Sequence, residues 1–265
     1  MKFLLCLSLS LIALFAEGKG CFVDENSQNI IFVKDGETNS LGLKEKIYKD
    51  QRCAYDESSF YVANLNNEIV KVASEKEFLF ALPNVGCKVS NILLEKEKIY
   101  VACDMANVVT IAIFDKSSKK FISKNFNNVY KISSFLPLGE GAFFTSFNGK
   151  AFLLDSKLNA KEQKSVGFAP VSACKFSDDE IFIGFRNGEI LDLKSGAKKQ
   201  VLRSKISALA CAGDEVLVAS EDGVIYKFDK SFKLKGKKEL FSGEIKEIFI
   251  DKNVLVGVDL GNKTK

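Results

Sequence analysis

The cysteines are the residues of this sequence with the most obvious chemistry. Cys6 lies in an apolar N-terminal run, and six more follow at Cys21, Cys53, Cys87, Cys103, Cys174 and Cys211. Their spacing contains no CxxC pair of the kind that zinc and iron–sulfur sites use. The preferred interpretation is that all six pack as small buried apolar residues.

Disulfide bonds are the main alternative for these cysteines. Cys87 and Cys103 flank a predicted hairpin that folds about Lys96, so they form one candidate pair. Cys174 and Cys211 lie on the first strands of successive repeats, described below, and form the second. A redox-active or metal-binding thiol is the remaining interpretation, and all three stay open at this stage.

Catalytic chemistry has few candidate residues in this chain. Histidine is absent, which rules out an imidazole base, a histidine metal ligand and a CxxCH haem attachment. No serine stands in a GxSxG elbow, and the glycines form neither GxGxxG nor a P-loop. We therefore expect no catalytic residue, no cofactor and no metal ion, and a protein that is not an enzyme.

The carboxylates follow a pattern that indicates turns. Adjacent acids recur at equivalent places of a repeat, as solvated turn residues do, whereas a catalytic pair should break the symmetry. These acids are Asp178–Glu180, Asp214–Glu215 and Glu221–Asp222. Single aspartates before lysine- and serine-rich segments are expected to initiate turns, and these are Asp115, Asp155 and Asp229.

The overall charge gives no indication of a nucleic-acid partner. The chain has 38 lysines and arginines against 34 acids, a formal net charge of +4. Nucleic-acid binding would need a concentrated basic stripe. The basic run Lys194–Lys205 falls in a predicted solvated hairpin, so we expect no nucleic acid among the partners.

The N-terminus has the order of a secretory signal peptide. A positive charge precedes the apolar run Phe3–Phe15, and Ala16 and a polar segment follow. A run of about 13 apolar residues is shorter than the about 20 that a membrane-spanning helix needs. We predict cleavage of residues 1–16, a periplasmic location and no transmembrane anchor in the mature form. A lipoprotein acylated at Cys21 is disfavoured because Gly18 stands where an apolar residue is expected.

An internal repeat is the strongest architectural signal. Polar turns recur at intervals of 40, 41, 39, 35 and 39 residues, at Asn67, Asn107, Asn148, Asn187, Asp222 and Gly261. Three of these turns are Asn-Gly or Asp-Gly, which favour two-residue hairpins. Each unit holds four short apolar or alternating segments. Four strands in about 39 residues are the unit of a β-propeller blade.

We therefore predict an all-β fold, a β-propeller of four-stranded antiparallel blades in a single domain over residues 21–265. A lone blade cannot bury both of its faces, so the blades must stack and close into a ring. The N-terminal strands are expected to complete the C-terminal blade, which counts six blades. Seven result if Cys21–Val23 opens an additional blade. Outer fourth strands are expected at Lys198–Arg203 and Lys238–Ser242.

The frame of each unit resembles a known superfamily. Each unit resembles WD40-like and quinoprotein-like propeller repeats in the order of its parts, which are an apolar strand, Asn/Asp-Gly, a second apolar strand and Asp-x-x-x-Lys. Examples are Glu189–Lys199 and Val224–Lys235. This resemblance implies architecture and leaves the activity open. The chain has no tryptophan, so the tryptophan docking motif of quinoprotein dehydrogenases is missing, which argues against a bound quinone.

A narrower resemblance concerns function. In size, signal peptide and degenerate Phe/Lys-rich blades, the chain is similar to the NapL-type exported propellers encoded with some periplasmic nitrate reductases. That resemblance implies an accessory role in the assembly or maturation of the reductase. It also implies a nitrate reductase subunit as the periplasmic partner.

Two functions are compatible with these features. The favoured one is a non-catalytic exported scaffold that docks another protein through the segments departing most from the repeat, Gly36–Lys49, Ser74–Pro83 and Ser117–Asn128. The alternative is a ligand-binding or hydrolytic propeller with a site in the central channel, lined by the first strand of each unit. Those strands read as apolar with small polar residues, which does not supply the inward-facing charges that the alternative needs.

Overall fold

The computed structural model describes residues 19–23, 29–34, 37–42, 51–56, 58–83, 86–167, 169–251 and 254–259. The protein is all-β, with 67% strand and no helix in those ranges. The predicted signal peptide, residues 1–16, and the turn residue Gly261 lie outside the described residues. In the described ranges, no helix has the length and apolar character needed to cross a membrane.

The chain divides into two compact units. The N-terminal unit contains Ala16–Val33 and Asn39–Ser165, and the C-terminal unit contains Lys34–Thr38 and Val166–Lys265. The strands in chain order are β1 (Lys19–Val23), β2 (Asn29–Lys34), β3 (Glu37–Gly42), β4 (Arg52–Tyr55), β5 (Phe60–Ala63), β6 (Glu68–Val72), β7 (Lys76–Ala81), β8 (Lys88–Glu95), β9 (Lys98–Met105), β10 (Val108–Asp115), β11 (Lys120–Asn127), β12 (Ile132–Leu138), β13 (Gly141–Ser146), β14 (Lys150–Leu154), β15 (Ala160–Ser165), β16 (Pro170–Ser177), β17 (Glu180–Phe185), β18 (Glu189–Asp192), β19 (Lys198–Gln200), β20 (Ile206–Ala212), β21 (Glu215–Ser220), β22 (Val224–Asp229), β23 (Leu234–Glu239), β24 (Ile245–Asp251) and β25 (Val254–Asp259).

Five consecutive groups of four strands form antiparallel meanders. They are β4–β7, β8–β11 and β12–β15 in the N-terminal unit, and β16–β19 and β20–β23 in the C-terminal unit. Strands β24 and β25 pair with each other. The predicted four-stranded antiparallel repeat is therefore confirmed, while the blade count and the closure of a ring stay predictions.

The N-terminal strands extend the first of these meanders. Strand β1 pairs antiparallel with β2 and, along its other edge, with β4. One parallel pair, Arg52 with Asn91, connects β4 to β8. Strands β1–β11 therefore form one eleven-stranded composite sheet, and β12–β15 form a separate sheet.

The core of the N-terminal unit explains why its strands are apolar on both faces. Phe143 and Phe144 of β13 are both fully buried, although successive side chains of a strand point to opposite faces. The ring of Phe144 stacks on Phe152 with centroids 4.5 Å apart and meets the edge of Phe126 at 5.2 Å. Runs such as Phe152–Leu154 break the apolar–polar alternation because this sheet is covered on both sides.

The turns between second and third strands differ from the prediction. In the type I′ two-residue hairpins that Asn-Gly and Asp-Gly favour, both central residues have positive φ. In these three turns only the glycine lies in the left-handed region, at φ 82° in Gly149, 87° in Gly188 and 81° in Gly223. The Gly149 N–H donates to the Ser146 carbonyl at 2.9 Å. This closes a type I turn followed by a glycine bulge, which gives a three-residue loop that also suits the strand twist.

The outer strands also end earlier than predicted. Strand β23 spans Leu234–Glu239 where Lys238–Ser242 was expected, and β19 likewise stops short of the full Lys198–Arg203. Beyond β23 the chain turns inward, because Phe241 is buried and its N–H donates to the Gly223 carbonyl at 3.2 Å. Phe241, the apolar residue that indicated a longer strand, therefore packs in the core.

Candidate interaction surface

The outer strands of the four-stranded sheets differ in what they expose. Strands β15, β19 and β23 present mainly lysine, glutamate and glutamine, with Leu234 as the exposed apolar exception. Strands β7 and β11 instead expose Phe78 (56%), Phe121 (43%) and Ile122 (41%). Because charged side chains normally protect the outer edges of sheets, these two strands depart from the rule that the others follow.

Phe121 and Ile122 lie on opposite faces of β11. Phe121 is paired across the sheet with Phe114, and its ring stacks on Phe80 of β7 with centroids 5.2 Å apart. Ile122 is paired with Ile113, which belongs to the core cluster on the other face. Both faces of this outer strand therefore carry a partly exposed apolar side chain.

Strand β7 carries the remaining exposed aromatic ring. Phe78 is paired with Val70, and Phe80 is paired with Ile69, with an irregularity in the register between them. Since Val70 and Ile69 belong to different core clusters, Phe78 and Phe80 point to opposite faces of the sheet. Phe80 is buried between neighbouring rings, while Phe78 is left exposed.

Strand β11 and the segments that flank it carry positive charge only, and the nearest acid across the sheet is Asp115 of β10, which is paired with Lys120. Residues 116–139 contain no aspartate or glutamate and hold five lysines, at Lys116, Lys119, Lys120, Lys124 and Lys131. Lys124 donates from Nζ to the side-chain oxygen of Asn159 at 2.9 Å. The exposed apolar residues of β11 are therefore framed by positive charge. We call Phe121, Ile122, Lys120 and Lys124 the β11 patch.

Two of the three segments predicted to make contacts come together here. Ser74–Pro83 contains β7, Ser117–Asn128 contains β11, and the two meet in the Phe80–Phe121 stack. Of the third segment, Gly36–Lys49, the structure describes residues 37–42, which form β3, and the remainder lies outside the described residues. The sequence singled out these segments by their departure from the repeat. The apolar edge itself could have been found by comparing the fourth strands of all units.

The cysteines are paired in the structure, which corrects their interpretation as six unpaired apolar residues. Disulfides join Cys87 with Cys103 and Cys174 with Cys211, the two candidate pairs, with Cα atoms 5.7 and 5.4 Å apart. A third joins Cys21 of β1 with Cys53 of β4, with Cα atoms 4.8 Å apart, and this pair was not predicted. The cysteines are both disulfide-bonded and packed in the core, since most of their side chains are fully buried.

The aspartates that end the third strands act as turn residues. Asp115 accepts the Ser117 hydroxyl at 2.6 Å and the Ser118 N–H at 2.8 Å, and these bonds lower its pKa to about 2. Hydrogen bonds from the following turn also lower the pKa of Asp155 and of Asp229. Asp192, which the sequence analysis did not single out, caps its turn in the same way.

The adjacent acids form ion pairs and hydrogen bonds with lysines. Lys175 pairs with Asp178 at 3.1 Å, Lys230 pairs with Glu180 at 3.0 Å, and Lys227 pairs with Glu215 at 2.7 Å. The N–H of Lys205 donates to Glu221 at 3.3 Å. Within the described ranges, no group of three or more cysteines or acids is placed to hold a metal ion.

One buried carboxylate departs from this pattern. Asp104, at the end of β9, accepts the Ile132 N–H at 2.8 Å and so connects two neighbouring sheets of the N-terminal unit. Burial raises its pKa, although this hydrogen bond, Ser90 and the nearby Lys131 favour the charged form. The hydrogen bond to the Ile132 N–H gives Asp104 the geometry of a structural connection between β9 and β12.

Comparison with known proteins identifies the fold. No protein-family model matches the chain, and no curated protein matches it. Solved structures that are similar to the chain include three at 12% identity. The computationally designed Ika8 protein has a TM-score of 0.65 over 92% of this chain and 82% of its own. BBS1N in complex with ARL6DN has a TM-score of 0.66 over 91% of this chain and 84% of its own. BamB from Moraxella catarrhalis has a TM-score of 0.57 over 98% of this chain and 94% of its own. BamB is a β-propeller, and the likeness supports that fold for this chain.

Proposed function

We propose that this protein is a non-catalytic exported β-propeller, a scaffold that binds another periplasmic protein through its outer strands β7 and β11. The observation that carries the proposal is the apolar outer strand β11, on which Phe121 and Ile122 are partly exposed and Phe121 stacks on Phe80 of β7. On this account the blades number six.

Outer strands with exposed apolar side chains, such as β7 and β11, suit a role in binding another protein. The outer strands of the other sheets have the charged side chains that keep sheet edges from pairing. Exposed aromatic and aliphatic side chains on β7 and β11, where the other outer strands are mainly charged, are expected where a partner covers them. The similar BBS1N structure was solved in complex with a second protein, ARL6DN, so this fold is compatible with docking.

Two observations support export. The N-terminal sequence has the order of a signal peptide. Three disulfides within one chain are expected in an oxidising compartment such as the periplasm. The pairing of Cys21 also uses the thiol that a lipid anchor would need.

The test is co-purification from a periplasmic extract of the native host. The wild-type chain is expected to retain a stoichiometric partner, and Ile122→Glu is expected to lose it because a charge replaces a contact residue. The matched control, Gln163→Glu on the outer strand β15, should retain the partner. A nitrate reductase subunit is the first candidate to look for. Equal partner recovery with Ile122→Glu and wild type would contradict the proposal.

A further inference from the structure

We infer that β11 is a docking edge for an acidic, extended segment of the partner, which adds to the sheet as a further antiparallel or parallel strand. This inference rests on the proposed function and specifies how its partner binds. In the described part of the chain, β11 is the last strand of its sheet, and no strand pairs with its outer edge. An unpaired edge exposes a row of backbone donors and acceptors that an extended peptide can satisfy.

The regularity of β11 distinguishes it from the other outer strands. It has eight residues, against three to six in β7, β15, β19 and β23. Its register with β10 runs without interruption from Val108–Asn127 to Asp115–Lys120. Strands β7, β15 and β23 each contain a register shift, and bulges of this kind discourage pairing at an edge. Strand β11 therefore has the longest and most regular edge of the five.

The side chains of β11 favour strand addition over docking on one face. Phe121 and Ile122 lie on opposite faces, so a helix or loop packed on one face would cover only one of them. An added strand alternates its side chains between the two faces and would cover both. Apolar residues at successive positions of the incoming segment are therefore expected beside Phe121 and Ile122.

The charge of the edge selects an acidic segment. Lys120 and Lys124 lie on the face that carries Ile122, and no acid occurs in residues 116–139. Asp115 is paired across the sheet with Lys120, but its carboxylate accepts hydrogen bonds from Ser117 and Ser118 of its own turn. A second copy of this strand would place lysines against lysines, which is unfavourable across a sheet. Glutamates or aspartates at the ends of an apolar segment would instead be attracted to this edge, with an effect on association that salt weakens.

The experiment measures binding of fluorescent model decapeptides to the protein purified from its native host. The first peptide has a central run of valine and phenylalanine flanked by glutamates, and the second replaces every glutamate with lysine. Two more carry N-methyl groups on alternate residues of the acidic peptide, one on the odd set and one on the even set. Only one alternate set of N–H groups faces the sheet in an added strand.

Strand addition predicts a specific pattern. The acidic peptide binds at least about tenfold more tightly than the lysine peptide. One N-methylated set abolishes binding, and the other changes it by no more than about twofold. Lys120→Glu/Lys124→Glu weakens binding of the acidic peptide by about tenfold, whereas Lys161→Glu/Lys164→Glu on β15, with the same change in charge, leaves it unchanged.

Several results would overturn this inference. They are the absence of binding at about 1 mM acidic peptide, equal effects of the two N-methylated sets, and equal effects of the two double charge reversals. Failure here is distinguishable from failure of the proposed function. If Ile122→Glu still loses the natural partner, the surface stands and only the strand-addition mode is rejected.

Discussion

Cys174 of β16 and Cys211 of β20 are joined by a disulfide, with their Cα atoms 5.4 Å apart. The two residues lie 37 positions apart, about one repeat, on the first strands of successive four-stranded sheets of the C-terminal unit. Around them these sheets share an apolar cluster that includes Phe182 and Leu209. The bond therefore reinforces covalently a contact between repeats that otherwise depends on packing.

Removing this bond should destabilise the C-terminal unit. For a closed loop of this length, the chain-entropy relation gives a loss of about 3–4 kcal/mol in the free energy of unfolding. Cys174→Ala/Cys211→Ala is therefore expected to unfold at clearly lower urea concentration than the wild type. Alkylation should label no cysteine of the native mature protein before reduction and six after it. A midpoint unchanged from that of the wild type would show that the bond adds nothing to stability.

Gly223 should tolerate no side chain. Its φ of 81° lies in the left-handed region, and a Cβ there would collide with the carbonyl oxygen of Phe241. Gly223→Ala is expected to lower the free energy of unfolding by about 1–3 kcal/mol. Gly236→Ala is the matched control, because a Cβ at that position meets no atom within 4 Å. Equal urea midpoints for the two variants would contradict the turn described here.

The pKa values of two aspartates should be shifted in opposite directions from the ordinary value of 3.8. The pKa of Asp115 is lowered to about 2 by its turn, so its carboxylate stabilises the fold above pH 3.8 and loses that effect as the pH falls toward 2. The pKa of Asp104 is raised by burial, so its ionisation opposes folding, and stability from this group recovers as the pH falls.

Carboxyl-carbon NMR measures both titrations in the folded protein. We expect the Asp104 resonance to titrate above pH 3.8 and the Asp115 resonance near pH 2. Asp104→Asn and Asp115→Asn assign the two signals by their loss. The reverse order of the two pKa values would contradict the hydrogen bonding and burial assigned to them.

Much of the fold could be predicted because its cues are local. The turn spacing and the apolar segments around it located all five complete four-stranded sheets. The turn type was wrong because Asn148-Gly149 suits a two-residue hairpin and a three-residue loop equally well, and cross-strand register decides between them. The position of the outer strand β23 was predicted wrongly because Phe241, which was assigned to that strand, is a core residue.

The missed features depend on distant contacts. The Cys21–Cys53 bond requires β1 to pair with β4, across a separation of 32 residues, and no periodicity predicts that pairing. The exposed edge of β11 was located only as a segment that departs from the repeat. Knowing that Phe121 and Ile122 are exposed on opposite faces requires the register with β10.

Hydrogen–deuterium exchange on the protein alone and in its co-purified complex tests the central claim most directly. We predict that the partner slows exchange of backbone amides in residues 120–127, with a smaller effect in residues 76–81. Amides of the outer strands at residues 160–165, 198–200 and 234–239 serve as internal controls and should exchange as before. Slowed exchange confined to those control strands, with none in residues 120–127, would contradict the interaction surface assigned here.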